Sequence, residues 1–329
     1  MPANSLSFPI FLRCLDCNDK IMRILILGGT GFIGSNLCAK LVYAGYDVVV
    51  ISNGEPVEPV DSIEYFTKGM EQPGLLDQLL PSCSHVIHLA SATTPGTSHL
   101  APGRELGGNI VPLAHLLECL QRAANTHLIF VSSGGAIYGD QPVDAANEDT
   151  PISPVSYYGA GKAAVEVFLR AYQAQTGHGV TVLRPSNLYG PGQGLRIGFG
   201  IVPTLFNCVR SQRPFEIWGD GETVRDYLYV SDFVGLCLCS IPWSVDRTEF
   251  SIFNVGSDTG YSINELLDEI GMINGNPIEV IRHPPRGVDV KRIVLDSSAA
   301  RQLLGWKSRT TLRKGLELTW DWINSQSVF

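Results

Sequence analysis

No apolar run in the 329-residue chain approaches the ~20 residues that a bilayer-crossing helix requires, so no helical membrane span is expected. Basic charge is scarce as well. The 24 Lys and Arg are outnumbered by 32 Asp and Glu, a net charge of −8, which leaves no cationic surplus to meet nucleic-acid or anionic-lipid phosphates broadly. One anionic small molecule held by a few local arginines stays compatible with that balance. Gly-Lys-Ser/Thr is absent, so a triphosphate-binding loop is not indicated. The short apolar patch from Leu6 to Leu12 is broken by Pro9 and has no basic stretch before it, a poor secretory signal. Residues 1–21 therefore read as a disordered extension. Cys14-x-x-Cys17 lacks a second pair, so the eight cysteines are expected to be reduced thiols of a cytoplasmic protein, with no metal site.

What is present is an alternation of short apolar runs with helical stretches. Arg23–Leu27, Asp47–Ile51, Val86–Ala90, Leu128–Ser132 and Val180–Arg184 are continuous rather than alternating, as parallel strands buried on both faces should be. From Ser156 to Gln175, Val165, Phe168, Leu169 and Tyr172 recur at helical spacing, with Gly177 placed to stop the helix. The pattern predicts an α/β fold, a doubly wound parallel sheet. Beyond Pro185 the texture turns to Gly, Pro and Arg ("YGPGQGLRIGFG", "WGDGETVRDY"), which suits substrate-facing loops.

The first strand runs into Gly28-Gly29-Thr30-Gly31-Phe32-Ile33-Gly34 and then a helical pattern. Glycines there permit a tight turn, close backbone approach to a pyrophosphate and close helix–sheet packing, while free N–H groups at the helix start face the anion. With a strand before and a helix after, a dinucleotide site is the stronger account over a purely structural turn. The second strand ends in Ser52 and Asn53, where an acid for the adenosine ribose is expected, and no Arg or Lys follows for a 2′-phosphate. NAD is favoured for want of a basic partner, and NADP stays open.

Tyr158 and Lys162 stand four apart at a helix start and share a face. A phenol is a poor base near neutrality, and a neighbouring ammonium should move its pKa toward working range. Gly159 and Gly161 between them cost a helix about 1 kcal/mol each relative to Ala, so something is expected to pack closely against them. The stretch "FVSSGGAIYG" adds hydroxyls at the end of the fourth apolar run listed above.

Gly28-x-x-Gly31-x-x-Gly34, "HLAS" (88–91), Ser133, Tyr158-x-x-x-Lys162 and "LRPSNLYGPG" (183–192), in that order, resemble the extended short-chain dehydrogenase/reductases, and among them the nucleotide-sugar epimerases that include UDP-glucose 4-epimerase. The resemblance implies a Rossmann-type domain over 22–188, rejoined by 227–256, and a smaller C-terminal α/β domain for the nucleotide sugar over 189–226 and 257–329. It implies catalytic roles for Tyr158, Lys162 and Ser133, with Ser132 as fallback. Gly28, Gly31, Phe32, Ile33, Gly34, Ser52, Asn53, Leu89, Ala90, Asn109 and Lys162 fall at cofactor positions. Ser133, Asn187, Trp218, Arg225, Arg286 and Asp289 fall at substrate positions, the two arginines on the diphosphate and Asp289 on a ribose hydroxyl. Ile293, four residues after Asp289, falls at a gate against N-acetyl groups. A homodimer is implied through helices near 112–124 and 158–175, with Val165 and Phe168 suited to the interface.

Within that family, dehydratases need an Asp-Glu pair after the active-site hydroxyl and decarboxylating members a Glu; here Gly134-Gly135-Ala136 follow. The expected reaction is epimerisation at carbon 4 through a transient 4-keto sugar, on a UDP-hexose or UDP-N-acetylhexosamine. Reduction of a 4-keto sugar by NAD(P)H is the alternative. A cofactor-sensing or RNA-associated protein without chemistry would show a broken Tyr/Lys pair or a basic patch, and the sequence has neither.

Overall fold

The computed structural model describes residues 21–99, 101–123, 126–140, 144–195, 200–285 and 290–326. Seven strands, β1 (Arg23–Leu27), β2 (Asp47–Ile51), β3 (Glu64–Phe66), β4 (His85–His88), β5 (His127–Val131), β6 (Val180–Pro185) and β10 (Phe250–Val255), form one sheet in the order β10-β6-β5-β4-β1-β2-β3. Every neighbouring pair is parallel. Alternate residues of each strand feed opposite faces. Ile24 and Ile26 pack with Leu37, Leu41 and Phe233 on one side, and Leu25 and Leu27 with Leu116, Val165 and Leu169 on the other. Both faces are apolar, so the strands carry no polar alternation.

The order reverses between β1 and β4, and a crevice for a ligand opens outside the carboxyl ends of strands at such a switch point. β4 stops at His88, earlier than the expected Ala90. The chain peels away there, with Leu89 N donating to Leu27 O at 2.9 Å, and residues 89 onward become loop at the crevice. β5 likewise stops at Val131, before Ser132.

A smaller C-terminal α/β domain is built from β7 (Asn187–Tyr189), β8 (Phe215–Trp218), β9 (Val224–Tyr229), β11 (Gly260–Ser262), β12 (Val280–His283) and β13 (Arg292–Ile293). β9 lies between β11 and β13 and also pairs with β7, while β8 pairs with β12. The helices Ile201–Ser211, Ile263–Asn274 and Leu312–Ser325 cover its core, which holds Tyr189, Phe206, Ile217, Leu266 and Leu316. Among the described residues, no helix is long and apolar enough to cross a membrane.

Three differences from the sequence expectation bear on the site. The helix before β5 does not start near Pro112. It starts at Pro102, passes through a widened π turn over Leu106–Ile110 and continues as Val111–Leu120, and Asn109 lies in that widened turn. Val165 is 2% exposed and belongs to the core, so only Phe168, at 48%, faces outward as an interface residue would. Ile293 is also core, packed with Ile137, Tyr138, Ala146 and Leu295.

Candidate active site

The glycine loop follows β1 directly. Gly28 adopts φ +87, and a Cβ there would stand 2.8 Å from Ala90 N, so only glycine brings the loop against the end of β4. A Cβ on Gly34 would meet Gly28 O at 2.4 Å, which ties the first turn of the helix Phe32–Tyr43 against the loop. Gly31 caps that helix in extended conformation, and no side chain caps its N–H groups. Unclaimed donors, the positive end of the helix and a backbone cradle without Cβ atoms fit a dinucleotide pyrophosphate. Gly28, Gly31, Phe32, Ile33 and Gly34 would hold it.

At the end of β2, Ser52 is pinned by its backbone, its N donating to Phe66 O and its O accepting from Gly69 N, both at 2.9 Å. Its Oγ lies 2.6 Å from Thr30 Oγ1. A neutral hydroxyl pair therefore stands where the adenosine ribose would meet a carboxylate. Asn53 packs against Gly69, which has φ +76 and leaves no room for a Cβ. Leu89 and Ala90 border the glycine loop from β4. Asn109 spends its side chain on the loop after β4 and on its own helix: Oδ1 accepts from Ala92 N at 2.9 Å, and Nδ2 donates to Thr93 Oγ1 at 2.9 Å and Glu105 Oε2 at 2.8 Å. Its contribution to a cofactor site is to brace that wall.

The helix Tyr157–Thr176 begins at Ser156, whose Oγ accepts from Gly159 N at 3.1 Å, and ends at Gly177 with φ +73. The close packing expected at its two glycines is present. A Cβ on Gly159 would meet Ala136 O at 2.3 Å, and one on Gly161 would meet Glu105 Oε2 at 2.6 Å. This seats Tyr158 beside Ser133. Ser132 is not available as an alternative, because its Oγ donates to the buried Glu166 Oε1 at 2.5 Å. Lys162 is buried; its Nζ donates to Val131 O at 3.0 Å and lies 4.9 Å from the Phe130 ring centroid and 5.9 Å from that of Tyr158.

The electrostatics differ from the sequence expectation. Loss of solvent pushes the Tyr158 phenol up to about 12; the neighbouring Ser133 hydroxyl opposes that rise and Glu105 adds to it. Desolvation outweighs any help from the lysine. The same loss of solvent brings Lys162 down to about 8, against the pull of Glu105 and Glu166. Glu105 was not singled out from the sequence. Its place four residues before Asn109 on a helical pattern was the available signal.

In the substrate half, Asn187 Nδ2 donates to Asp226 O at 3.0 Å, next to Gly135, and Arg225 Nη1 donates to Val224 O at 2.8 Å. Trp218 is 38% exposed and stacks on His283 at 5.1 Å. Arg286 and Asp289 lie outside the described residues. Among the described residues no His/Cys/Asp/Glu group could hold a metal.

Residues 24–256 match the model of the NAD dependent epimerase/dehydratase family. The chain is 32% identical over 318 residues to a UDP-glucose 4-epimerase of Mycolicibacterium smegmatis, covering 93% of this chain and 100% of that one. Among solved structures, the UDP-glucose 4-epimerase of Thermotoga maritima with UDP-glucose superposes with a TM-score of 0.86 at 32% identity, over 92% of this chain and 99% of that one. That of Thermus thermophilus with NAD gives 0.84 at 30%, over 92% and 99%. With the glycine cradle and the parallel sheet in place, the chain belongs to the NAD dependent epimerase/dehydratase family.

Proposed function

We propose that the protein is an NAD-dependent nucleotide-sugar 4-epimerase acting on a UDP-hexose or UDP-N-acetylhexosamine. The observation that carries this reading is the placement of Tyr158 beside Ser133, with Lys162 one turn further on, at the carboxyl edge of the sheet beside an uncapped helix N-terminus. The residues after Ser133 are Gly134, Gly135 and Ala136, which supply no acid or base for dehydration or decarboxylation. The UDP-sugar epimerases it resembles favour epimerisation over keto-sugar reduction.

A bound nicotinamide would supply a reversible hydride acceptor for carbon 4 and, in its oxidised form, a positive charge in the site. Tyr158 takes the proton of the 4-hydroxyl as the C4–H bond breaks, leaving a 4-keto sugar. The sugar then presents its other face, and Tyr158 returns the proton to the oxygen as C4–H reforms with inverted configuration. Ser133 donates to the reacting oxygen and holds the phenol in line. Lys162 supplies a cation beside the phenol that favours its ionised form. Asn187, Arg225 and, by resemblance, Arg286 hold the diphosphate, Asp289 accepts from a ribose hydroxyl, and Trp218 lies by the nucleotide base.

The test is incubation of the purified protein with UDP-galactose, UDP-glucose and their N-acetyl forms in D2O, without added cofactor. Interconversion with no deuterium at carbon 4 supports the reading, because the same hydrogen leaves and returns. Deuterium at carbon 4, or turnover only with stoichiometric NAD(P)H, overturns it.

A homodimer is part of the proposal. Leu106 and Val111 on one helix, and Tyr157, Val167 and Phe168 on its neighbour, are exposed apolar side chains suited to a helix-bundle interface. Val167→Glu should convert a dimer in light scattering to a monomer; a monomeric wild type removes the idea. A cytoplasmic location is likewise proposed, supported by the free thiols of the described cysteines.

A further inference from the structure

Beneath the Tyr158–Lys162 face lies a small cavity lined by His88, Glu105, Asn109, Phe130, Lys162 and Val165 among others. Glu105 is 4% exposed. One of its carboxylate oxygens, Oε2, accepts from Asn109, and the other, Oε1, is buried with no hydrogen-bond partner. An unmatched buried carboxylate oxygen is costly unless a nearby charge compensates it.

The charged and titratable groups around Lys162 can be named element by element. Its own helix carries Tyr158 and Glu166. β4 carries His88, whose ring nitrogens are both buried and unpartnered and which burial, with Lys162 beside it, pushes down to about 3, so it is neutral. β5 offers Val131 O and the Phe130 ring, and the helix of the widened turn offers Glu105. Glu166 is already committed, bound by Arg184 Nη2 at 2.6 Å and by Ser132. Glu105 is therefore the carboxylate near Lys162 that no cation claims. Gly161, adjacent to Lys162 in sequence, admits it, since any larger residue would collide with Oε2.

We propose that Glu105 is a positioning residue whose carboxylate, fixed by Asn109 in the widened helix turn, keeps the Lys162 ammonium charged and in place, a role that rests on the catalytic reading of Lys162 above. Without it, burial alone would favour the neutral amine, and the cation beside Tyr158 would be lost at a lower pH. The widened turn thereby gains a purpose: one short segment braces the loop after β4 through Asn109 and sets the charge behind the lysine through Glu105.

The test is a direct titration of Lys162 by NMR, in protein labelled with ε-13C lysine, using Lys162→Arg to identify the signal. Glu105→Gln preserves the Asn109 contact and removes only the charge. Its Lys162 pKa should fall by about half a unit or more, and the alkaline limb of the kcat profile should move down with it. Glu105→Asp, which keeps the charge, should restore much of both. A Lys162 titration unchanged in Glu105→Gln overturns the proposal. Should that variant not fold, Glu105→Asp decides: with the carboxylate drawn back by one methylene the Lys162 pKa must fall part of the way, and an unchanged value is equally fatal. A shifted Lys162 titration in an enzyme whose Lys162→Met variant stays fully active would instead sink the catalytic reading and leave the coupling standing.

Discussion

Glu166 and Arg184 meet at 2.6 Å with side chains only 4% and 3% exposed, and Arg184 Nε also reaches both oxygens of the carboxylate at 3.2 Å. Glu166 lies one turn beyond Lys162, and Arg184 begins the stretch that leads to Asn187. The pair thus fixes the helix bearing Tyr158 to the strand feeding the substrate half. Arg184 Nη1 extends the network to Tyr138 Oη at 2.7 Å, which donates in turn to Asn254 Oδ1 at 2.7 Å on β10.

Removing one partner of such a pair leaves a buried charge uncompensated. Glu166→Gln should therefore cost about 3–5 kcal/mol in denaturant unfolding, far more than an exposed ion pair such as Arg122–Asp77. A loss below about 1 kcal/mol would show that the network contributes little to stability.

Tyr158→Phe keeps the ring and removes the hydroxyl. If Tyr158 moves the proton, kcat should fall by about 10²–10⁴-fold, while bound NAD content and melting temperature stay near wild type. A fall of less than about tenfold would remove Tyr158 from the chemistry. Cofactor content and melting temperature separate this outcome from simple disruption of the site.

The Thr30–Ser52 hydroxyl pair makes cofactor choice testable. Neither group carries a charge to bind ribose hydroxyls strongly or to repel a 2′-phosphate, so dissociation constants for NAD and NADP on cofactor-stripped protein should lie within about tenfold of one another. Ser52→Asp introduces a carboxylate at the ribose position. It should tighten NAD by about tenfold, the scale of one charge-assisted hydrogen bond, and weaken NADP. An unchanged ratio of the two constants in Ser52→Asp would place the ribose elsewhere.

The strands of the main sheet were legible because residues buried on both faces leave uninterrupted apolar runs; β1 and β2 carry the expected limits to the residue. β3 was missed because Glu64-Tyr65-Phe66 is a three-residue edge strand with little burial to pattern it. The glycine loop could be read because each glycine answers a collision that any Cβ would cause. The reach of Glu105 toward Gly161 could not, since it depends on a widened turn that breaks the 3.6-residue period from which side-chain directions are inferred. Ile293, which the resemblance places at a gate against N-acetyl groups, has its side chain packed into a small core with Ile137, Tyr138, Ala146 and Leu295, burial that its position in the sequence did not signal.

The last prediction concerns acid. His85 and His127 lie near the amino ends of β4 and β5 with ring centroids 5.7 Å apart and planes tilted by 39°. Neutral-ring hydrogen bonds hold them: His85 Nε2 with Ser244 Oγ at 3.0 Å, and His127 Nε2 with Thr181 Oγ1 at 2.9 Å. Burial pushes His85 down to about 3 and His127 down to about 4. Both folded values lie below the unfolded value of about 6.5, so the unfolded chain binds more protons in the interval between. Their contribution to stability is complete above about pH 6.5 and is lost as pH falls through 6 toward 4. The slope is at most about 1.4 kcal/mol per pH unit for each histidine. Unfolding free energy measured in denaturant from pH 7 to pH 4 should decline accordingly. His127→Gln, whose amide reaches the Nε2 position and can still bond Thr181 but cannot titrate, should flatten the decline by up to one histidine's share. An equally steep decline in that variant would assign the acid sensitivity to the carboxylates instead.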